Sequence, residues 1–147
     1  MPHRSGTARL RLGRASLPGQ VYLVTTAVNR RYPLFACIAS ARAASRVCHD
    51  AATWGDAECL AWVLMPDHWH GLVRLQDQSL STLMSRFKAS SARAVGRGPI
   101  WQRGFHERAL RSEDSVIKAA RYIVGNPLRA GLVSSVNDYP YWNAVWL

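Results

Sequence analysis

Cysteine is scarce in this 147-residue sequence: Cys37, Cys48 and Cys59 lie eleven residues apart, with no CxxC among them. An odd, evenly spread trio excludes a disulfide framework and a zinc knuckle. Cys48 and Cys59 sit among apolar residues and are expected to fill the core. Lysine is rarer still, since Lys88 and Lys118 are the only two among 19 basic residues. Acidic residues number nine. No apolar run reaches the roughly 20 residues that span a bilayer. The N-terminal MPHRSGTARLRLGRAS is basic and lacks the apolar segment of a secretory signal. The expectation is a cytoplasmic protein in a reducing compartment, with no membrane partner. Neither an internal repeat nor a dividing linker is present.

What remains is a folding sequence with a strongly basic balance. Apolar residues make up 48% of it, enough for one core. The formal charge is +10, carried almost wholly by Arg, alongside six Trp and five Tyr. The planar guanidinium fork suits phosphate oxygens and stacks on bases, which favours a nucleic-acid partner over a small neutral substrate. Codon usage that prefers Arg to Lys would produce the same bias, so charge alone leaves the matter open.

Residues 1–19 form a basic arm ending in Pro18-Gly19, either mobile or strand-like, and residues 20–147 form a single domain. QVYLVTTAV (Gln20–Val28) is rich in β-branched residues and predicts a first strand. Apolar residues at helical spacing predict a helix over Ile38–Trp54, stopped by Gly55. Leu60–Met65 and His68–Leu75 predict two strands joined as a hairpin through Pro66-Asp67. A second helix carries Leu80, Leu83, Met84, Phe87, Ser91, Ala94 and Val95 on one face, and Gly96, Gly98 and Pro99 end it. Arg86 and Arg93 fall opposite that face and Lys88 on its flank. A loop and fourth strand follow within Ile100–Arg111. Ser112 is a good N-cap for a third helix, with Glu113 and Asp114 in its first turn, and Pro127 should end it near Asn126. The tail from Leu128 reads as irregular and aromatic-rich. The order β-α-β-β-α-β-α predicts an α+β protein: a ferredoxin-like antiparallel sheet with helices packed on one face, plus a C-terminal helix and irregular tail.

The chain is organised around LMPDHWHGLV (Leu64–Val73). On a strand His68 and His70 point to one side, with Cα atoms roughly 6.5–7 Å apart, while Trp69 turns into the core. Two imidazoles so placed can share one metal ion, but HxH alone is a weak signal. The third helix offers possible companions. At 100° per residue from Val116, the residues Val116, Ile117, Ala120, Ile123 and Val124 form a core stripe between about −20° and 100°. Tyr122 and Asn126, one turn apart, fall near 240° and 280° on a different side. Taken singly, Tyr122 reads equally as a half-exposed aromatic and Asn126 as a helix-ending residue before proline.

HWH after an apolar strand, WQRGFHERALR, and then YIVGNPLRAGLV, in that order between about Val21 and Val133, resemble the HUH single-strand transposases with one catalytic tyrosine. Within them the resemblance is to the REP-associated group. It implies a metal-dependent endonuclease and strand transferase acting on single-stranded or hairpin DNA at palindromic repeats. By that resemblance Tyr122 is the nucleophile that forms a 5′-phosphotyrosine. His68, His70 and Asn126 would hold one Mg²⁺ or Mn²⁺, and Lys88 would neutralise a phosphate near the site. Arg86, Arg93, Arg103, His106 and Arg108 are expected contacts to the DNA backbone, and Trp101 and Phe105 are expected to stack on bases. His106 reads alternatively as a structural histidine or as a proton donor to the leaving group. The competing reading is a hairpin-binding protein, derived from a transposase, that does not cut. A metal-dependent phosphoesterase using only the histidine pair is a third. Monomer and homodimer are both compatible with the sequence.

Overall fold

A computed structural model describes residues 18–146, so the basic arm expected over residues 1–19 lies outside the described residues except for its last two. Five strands form one antiparallel sheet: β1 (Val21–Ala27), β2 (Glu58–Met65), β3 (His68–Arg74), β4 (His106–Leu110) and β5 (Trp142–Ala144), in the order β4-β1-β3-β2-β5. The first four follow the split βαβ order, with β3 inserted between β1 and β2. Four α-helices accompany them among the described residues: α1 (Ile38–His49), α2 (Ala51–Trp54), α3 (Leu80–Val95) and α4 (Glu113–Arg129).

Alternation along the strands divides the interior into two cores. On one face Tyr22, Val24, Trp62, Leu64, Trp69 and Val73 pack under α1, α2 and α3, which contribute Ala41, Ala44, Trp54, Leu83, Met84 and Phe87. On the other face Val21, Val63, Met65 and Leu72 pack under α4, which contributes Val116, Ala119, Ala120 and Ile123. The first two long helices therefore share a face, as expected, while the C-terminal helix covers the reverse side. That separation leaves the α4 face free for a second task.

Trp69 is fully buried, with Phe87 at 4.5 Å and Trp54 at 6.0 Å between ring centroids. Its indole lies across the backbone of Gly71, where a Cβ would come within 1.9 Å of the ring. The glycine after HWH is thus dictated by the tryptophan within it.

Four local expectations are corrected. The helix expected over Ile38–Trp54 breaks at Asp50, which adopts extended φ/ψ and caps a new turn by accepting from the Ala52 N–H at 3.0 Å. Pro127 does not end α4, which runs on to Arg129. The proline ring is buried in the stripe, and the last turn still closes through the Ala130 N–H to the Asn126 carbonyl. The tail is not wholly irregular, because β5 pairs with β2 in the register Ala61↔Ala144 to Val63↔Trp142. Tyr139 anchors that tail by donating its buried hydroxyl to the Leu64 carbonyl. Burial, with Tyr141 adding to it, pushes this phenol up to about 12. Lastly, the stripe of α4 is turned toward Ala119 and Pro127, with Ile117 and Val124 only half-buried. Tyr122 and Asn126 then border the buried face instead of opposing it.

Cys48 is buried, Cys59 half-buried and Cys37 exposed, and all three are free thiols. Burial pushes the thiols of Cys48 and Cys59 well up, in keeping with the filling role read from the sequence.

Candidate active site

The β2–β3 hairpin turns on Pro66-Asp67, so His68 pairs with Met65 and His70 with Val63. Across the sheet His70 also lies opposite Thr25 of β1. Both imidazoles stand on the α4 face. Their rings meet edge-on with centroids 4.6 Å apart, and their Nε2 atoms lie 3.0 Å apart.

The neighbours assign the protons. Asp67 accepts from His68 Nδ1–H at 2.7 Å, which leaves His68 Nε2 as a lone pair. His70 Nε2–H then donates to it, and His70 Nδ1 accepts from the Thr25 hydroxyl at 2.7 Å. Arg31 holds the far side of Asp67, with Nε to Oδ2 at 3.0 Å. Burial would raise the Asp67 carboxyl, but the hydrogen bonds from His68 and Arg31 outweigh it and hold the group below its ordinary value. Burial, helped by the positive fields of Arg129, Arg31 and, when it is protonated, His68, pushes His70 down to about 3 against the opposing pull of Asp67. His70 is therefore neutral at physiological pH.

The pair suits an ion. Two nitrogens each about 2.1 Å from an octahedral metal, at a right angle, are about 3.0 Å apart. Thr25 both donates and accepts, so His70 can move its proton to Nδ1 and present Nε2 to an ion. Asp67 already fixes His68 in the ligating tautomer, as carboxylates do for metal-bound histidines. Among the described residues no group of three His, Cys, Asp or Glu side chains converges as a metal cluster. The remaining positions would fall to Asn126, phosphate oxygens and water. Asn126 is half-buried, one turn beyond Tyr122 on α4.

Tyr122 comes to this pair from the other element. Its ring meets His70 edge-on at 6.2 Å between centroids, and half of the residue is exposed. Arg129 lies over the ring, its guanidinium carbon 4.0 Å from the centroid, and donates to the Tyr122 carbonyl. From this point a groove of about 910 Å³ opens between α4 and the β4–β1 edge. His70 and Tyr122 stand at one part of it, Leu23 and Ala119 lie within it, and Arg108, Arg111 and Lys118 bring positive charge. Such a groove can hold an extended polyanion beside the tyrosine.

The other residues singled out from the sequence distribute unequally. His106 and Arg108 are exposed on β4 and line the groove. Arg103 is exposed in the loop before β4. Arg86, Lys88 and Arg93 belong to α3, on the reverse face of the sheet from the histidines. Arg86 donates to the Thr53 carbonyl and to Gln78, tying α3 to α2. Lys88 donates to the Gln102 carbonyl at 2.7 Å and to the Gly104 carbonyl, which secures the loop leading to β4. Its expected place beside the histidines is thereby corrected. Trp101 and Phe105 are also corrected: both are buried in the first core and closed to bases. Trp101 packs on Phe35 and Phe87 and donates its indole N–H to Ser91.

Sequence reasoning missed Thr25, the Asp67 side chain, Arg111, Lys118 and Arg129. Lys118 and Arg129 carried a signal, since they stand four residues before and seven after Tyr122 on the same side of one helix. Thr25 carried none, because only strand pairing brings it to His70.

A family model described as transposase IS200 like matches residues 19–126. The REP-associated tyrosine transposase of Escherichia coli K12 is 34% identical over 86 residues, covering 57% of this chain and 52% of that protein. The chain spans about half the length of the curated relatives it matches. Among solved structures, a REP-associated tyrosine transposase bound to a REP hairpin superposes with a TM-score of 0.70 at 26% identity. That match covers 88% of this chain and 79% of the other. A Deinococcus radiodurans protein solved at 1.90 Å shares the fold, with a TM-score of 0.54 at 22% identity over 76% of this chain and 93% of its own.

Proposed function

The chain belongs to the IS200-like transposase family, and on that premise we propose that it nicks and rejoins single-stranded DNA at hairpins of palindromic repeats, using Tyr122 as nucleophile and one divalent ion. The observation that carries this reading is the meeting of Tyr122 with His70 from separate elements on the reverse face of the sheet. The hairpin bound in the similar solved structure supports the choice of substrate.

His68 and His70, with Asn126 as the third protein ligand, are the residues that would hold Mg²⁺ or Mn²⁺. Two imidazoles lean toward Mn²⁺, since Mg²⁺ prefers oxygen donors. Bound there, such an ion polarises the scissile phosphate and offsets the charge that develops in the transition state. The chain's own residues do the rest. The strand lies along the groove, its phosphates against Arg108, Arg111 and Lys118, with His106 as a further contact at the β4 wall. The Tyr122 hydroxyl gives its proton to water and attacks phosphorus in line. The bond from phosphorus to the 3′ oxygen breaks, and that oxygen takes up a proton to leave as a free 3′-OH. The downstream DNA stays on the protein as a 5′-phosphotyrosine. Attack by a second 3′-OH reverses the step without ATP, because the ester energy is retained.

The test is a repeat hairpin with a single-stranded flank, incubated with the protein and Mn²⁺. A 5′ label should appear on a shortened strand ending in 3′-OH, and a 3′ label should appear on the protein. Tyr122→Phe should abolish the adduct and leave hairpin binding within about twofold of wild type. An adduct that survives in Tyr122→Phe would remove Tyr122 from the role. Hairpin binding with no cleavage under any divalent ion would establish the non-cutting reading instead.

A further inference from the structure

Arg129 reaches back along α4 in a way its sequence position makes possible. Side chains on a helix lean toward its N-terminus, and residues four and seven apart share a face. Arg129 therefore passes over Gly125 and arrives at Tyr122. Its guanidinium carbon sits 4.0 Å above the ring centroid, and one of its amino groups donates to the Tyr122 carbonyl. Gly125 makes the path: a Cβ there would stand 2.9 Å from Nη1 of Arg129. The same ring meets His70 edge-on. A glycine in mid-helix is unfavourable for the helix by itself, so its presence needs a reason, and the guanidinium occupying its place supplies one.

We propose that Arg129 is a positioning residue that holds the Tyr122 ring in place beside His70, in the space that Gly125 leaves open. Cation–π attraction and the hydrogen bond to the carbonyl fix the guanidinium at two points, so the ring it covers keeps one rotamer. An exposed tyrosine would otherwise sample several rotamers, and in-line attack needs the hydroxyl in one place before substrate arrives. The catalytic consequence rests on the reading of Tyr122 as nucleophile; the clamp itself does not.

The experiment uses the full chain labelled with 3-fluorotyrosine, its Tyr122 ¹⁹F line assigned by Tyr122→Phe. In Arg129→Ala and in Gly125→Ala the line should shift and narrow toward that of a freely rotating ring. Arg129→Lys should give an intermediate shift, because lysine keeps the charge but loses the planar fork. Arg121→Ala, a neighbouring exposed arginine, should leave the line in place. Gly125→Ala guards against misfolding, since alanine is the better helix former and Arg129 is still present. On a cleavable hairpin both clamp variants should lose about tenfold or more in kcat with KM within twofold. A Tyr122 line unmoved in both variants would overturn the clamp. A line that moves with kcat unchanged would overturn its positioning role. Should the wild type form no adduct, the transferase reading falls while the ¹⁹F result still decides the clamp.

Discussion

His68 and His70 present their Nε2 atoms to each other at 3.0 Å, one as lone pair and one as donor, with Asp67 and Thr25 behind them. An ion entering between them must displace the shared proton, and Thr25 decides how easily His70 takes it onto Nδ1 instead. Titration with Mn²⁺ should reveal one site, the His70 proton moving to Nδ1 as the ion binds. His68→Ala or His70→Ala should abolish it. Thr25→Val, of the same shape but unable to orient Nδ1, should weaken affinity about tenfold to a hundredfold. Unchanged affinity in Thr25→Val would show that strand packing alone orients His70.

The same histidine makes stability depend on pH. Folding lowers His70 from its ordinary 6.5 to about 3. Between those values the unfolded chain holds a proton that the folded chain does not, so stability rises with pH across that window and is lost as pH falls through it. Asp67, whose value is also lowered, acts in the same direction at the acid end. Urea midpoints measured in EDTA from pH 3.5 to 7 should climb. His70→Gln should flatten the upper part of that climb.

Gly71 tests the core behind the histidines. A methyl group there meets the Trp69 ring well inside contact distance, and the ring is enclosed by Trp54 and Phe87. Gly71→Ala should cost about 1–3 kcal/mol or more by overpacking, read from urea denaturation. A neutral substitution would mean that the indole has room to swing.

The two faces of the sheet predict a division among the basic residues. Arg108 and Lys118 line the groove, so Arg108→Ala and Lys118→Ala should each weaken single-strand binding. Each should also make the salt dependence shallower by about 0.7 in the slope of log K against log salt. Arg86 bonds the Thr53 carbonyl and Gln78. Arg86→Ala should therefore lower stability by about 1–3 kcal/mol and leave DNA affinity within twofold. Filter binding across a salt series, with melting curves, separates the two effects.

The elements themselves were legible because their signals are local. β-Branched alternation marks β1, and Pro66-Asp67 marks the hairpin. Ser112 begins α4 by accepting from the Ser115 N–H as its residue type suggests. Gly96 ends α3 in the left-handed conformation that glycine allows. Asp50 was overlooked because a polar residue inside an apolar helical pattern reads as an exposed position, not as a cap. Pro127 misled because its burial in α4 offset the hydrogen bond its ring nitrogen cannot make.

By itself the sequence determined which residue types stand at which spacing: two histidines on one strand face, and a tyrosine with an asparagine one turn on. Tertiary structure alone decided their partners. Pairing of β1 with β3 sets Thr25 against His70. Packing of α4 on the reverse face brings Tyr122 to the same imidazole, while packing of α3 on the other face takes Arg86 and Lys88 away from it. Trp101 and Phe105 became core instead of a stacking platform for the same reason. Periodicity states which side of an element is apolar, but not which apolar surface will cover it. That choice depends on strand register and on contacts between residues distant in the chain.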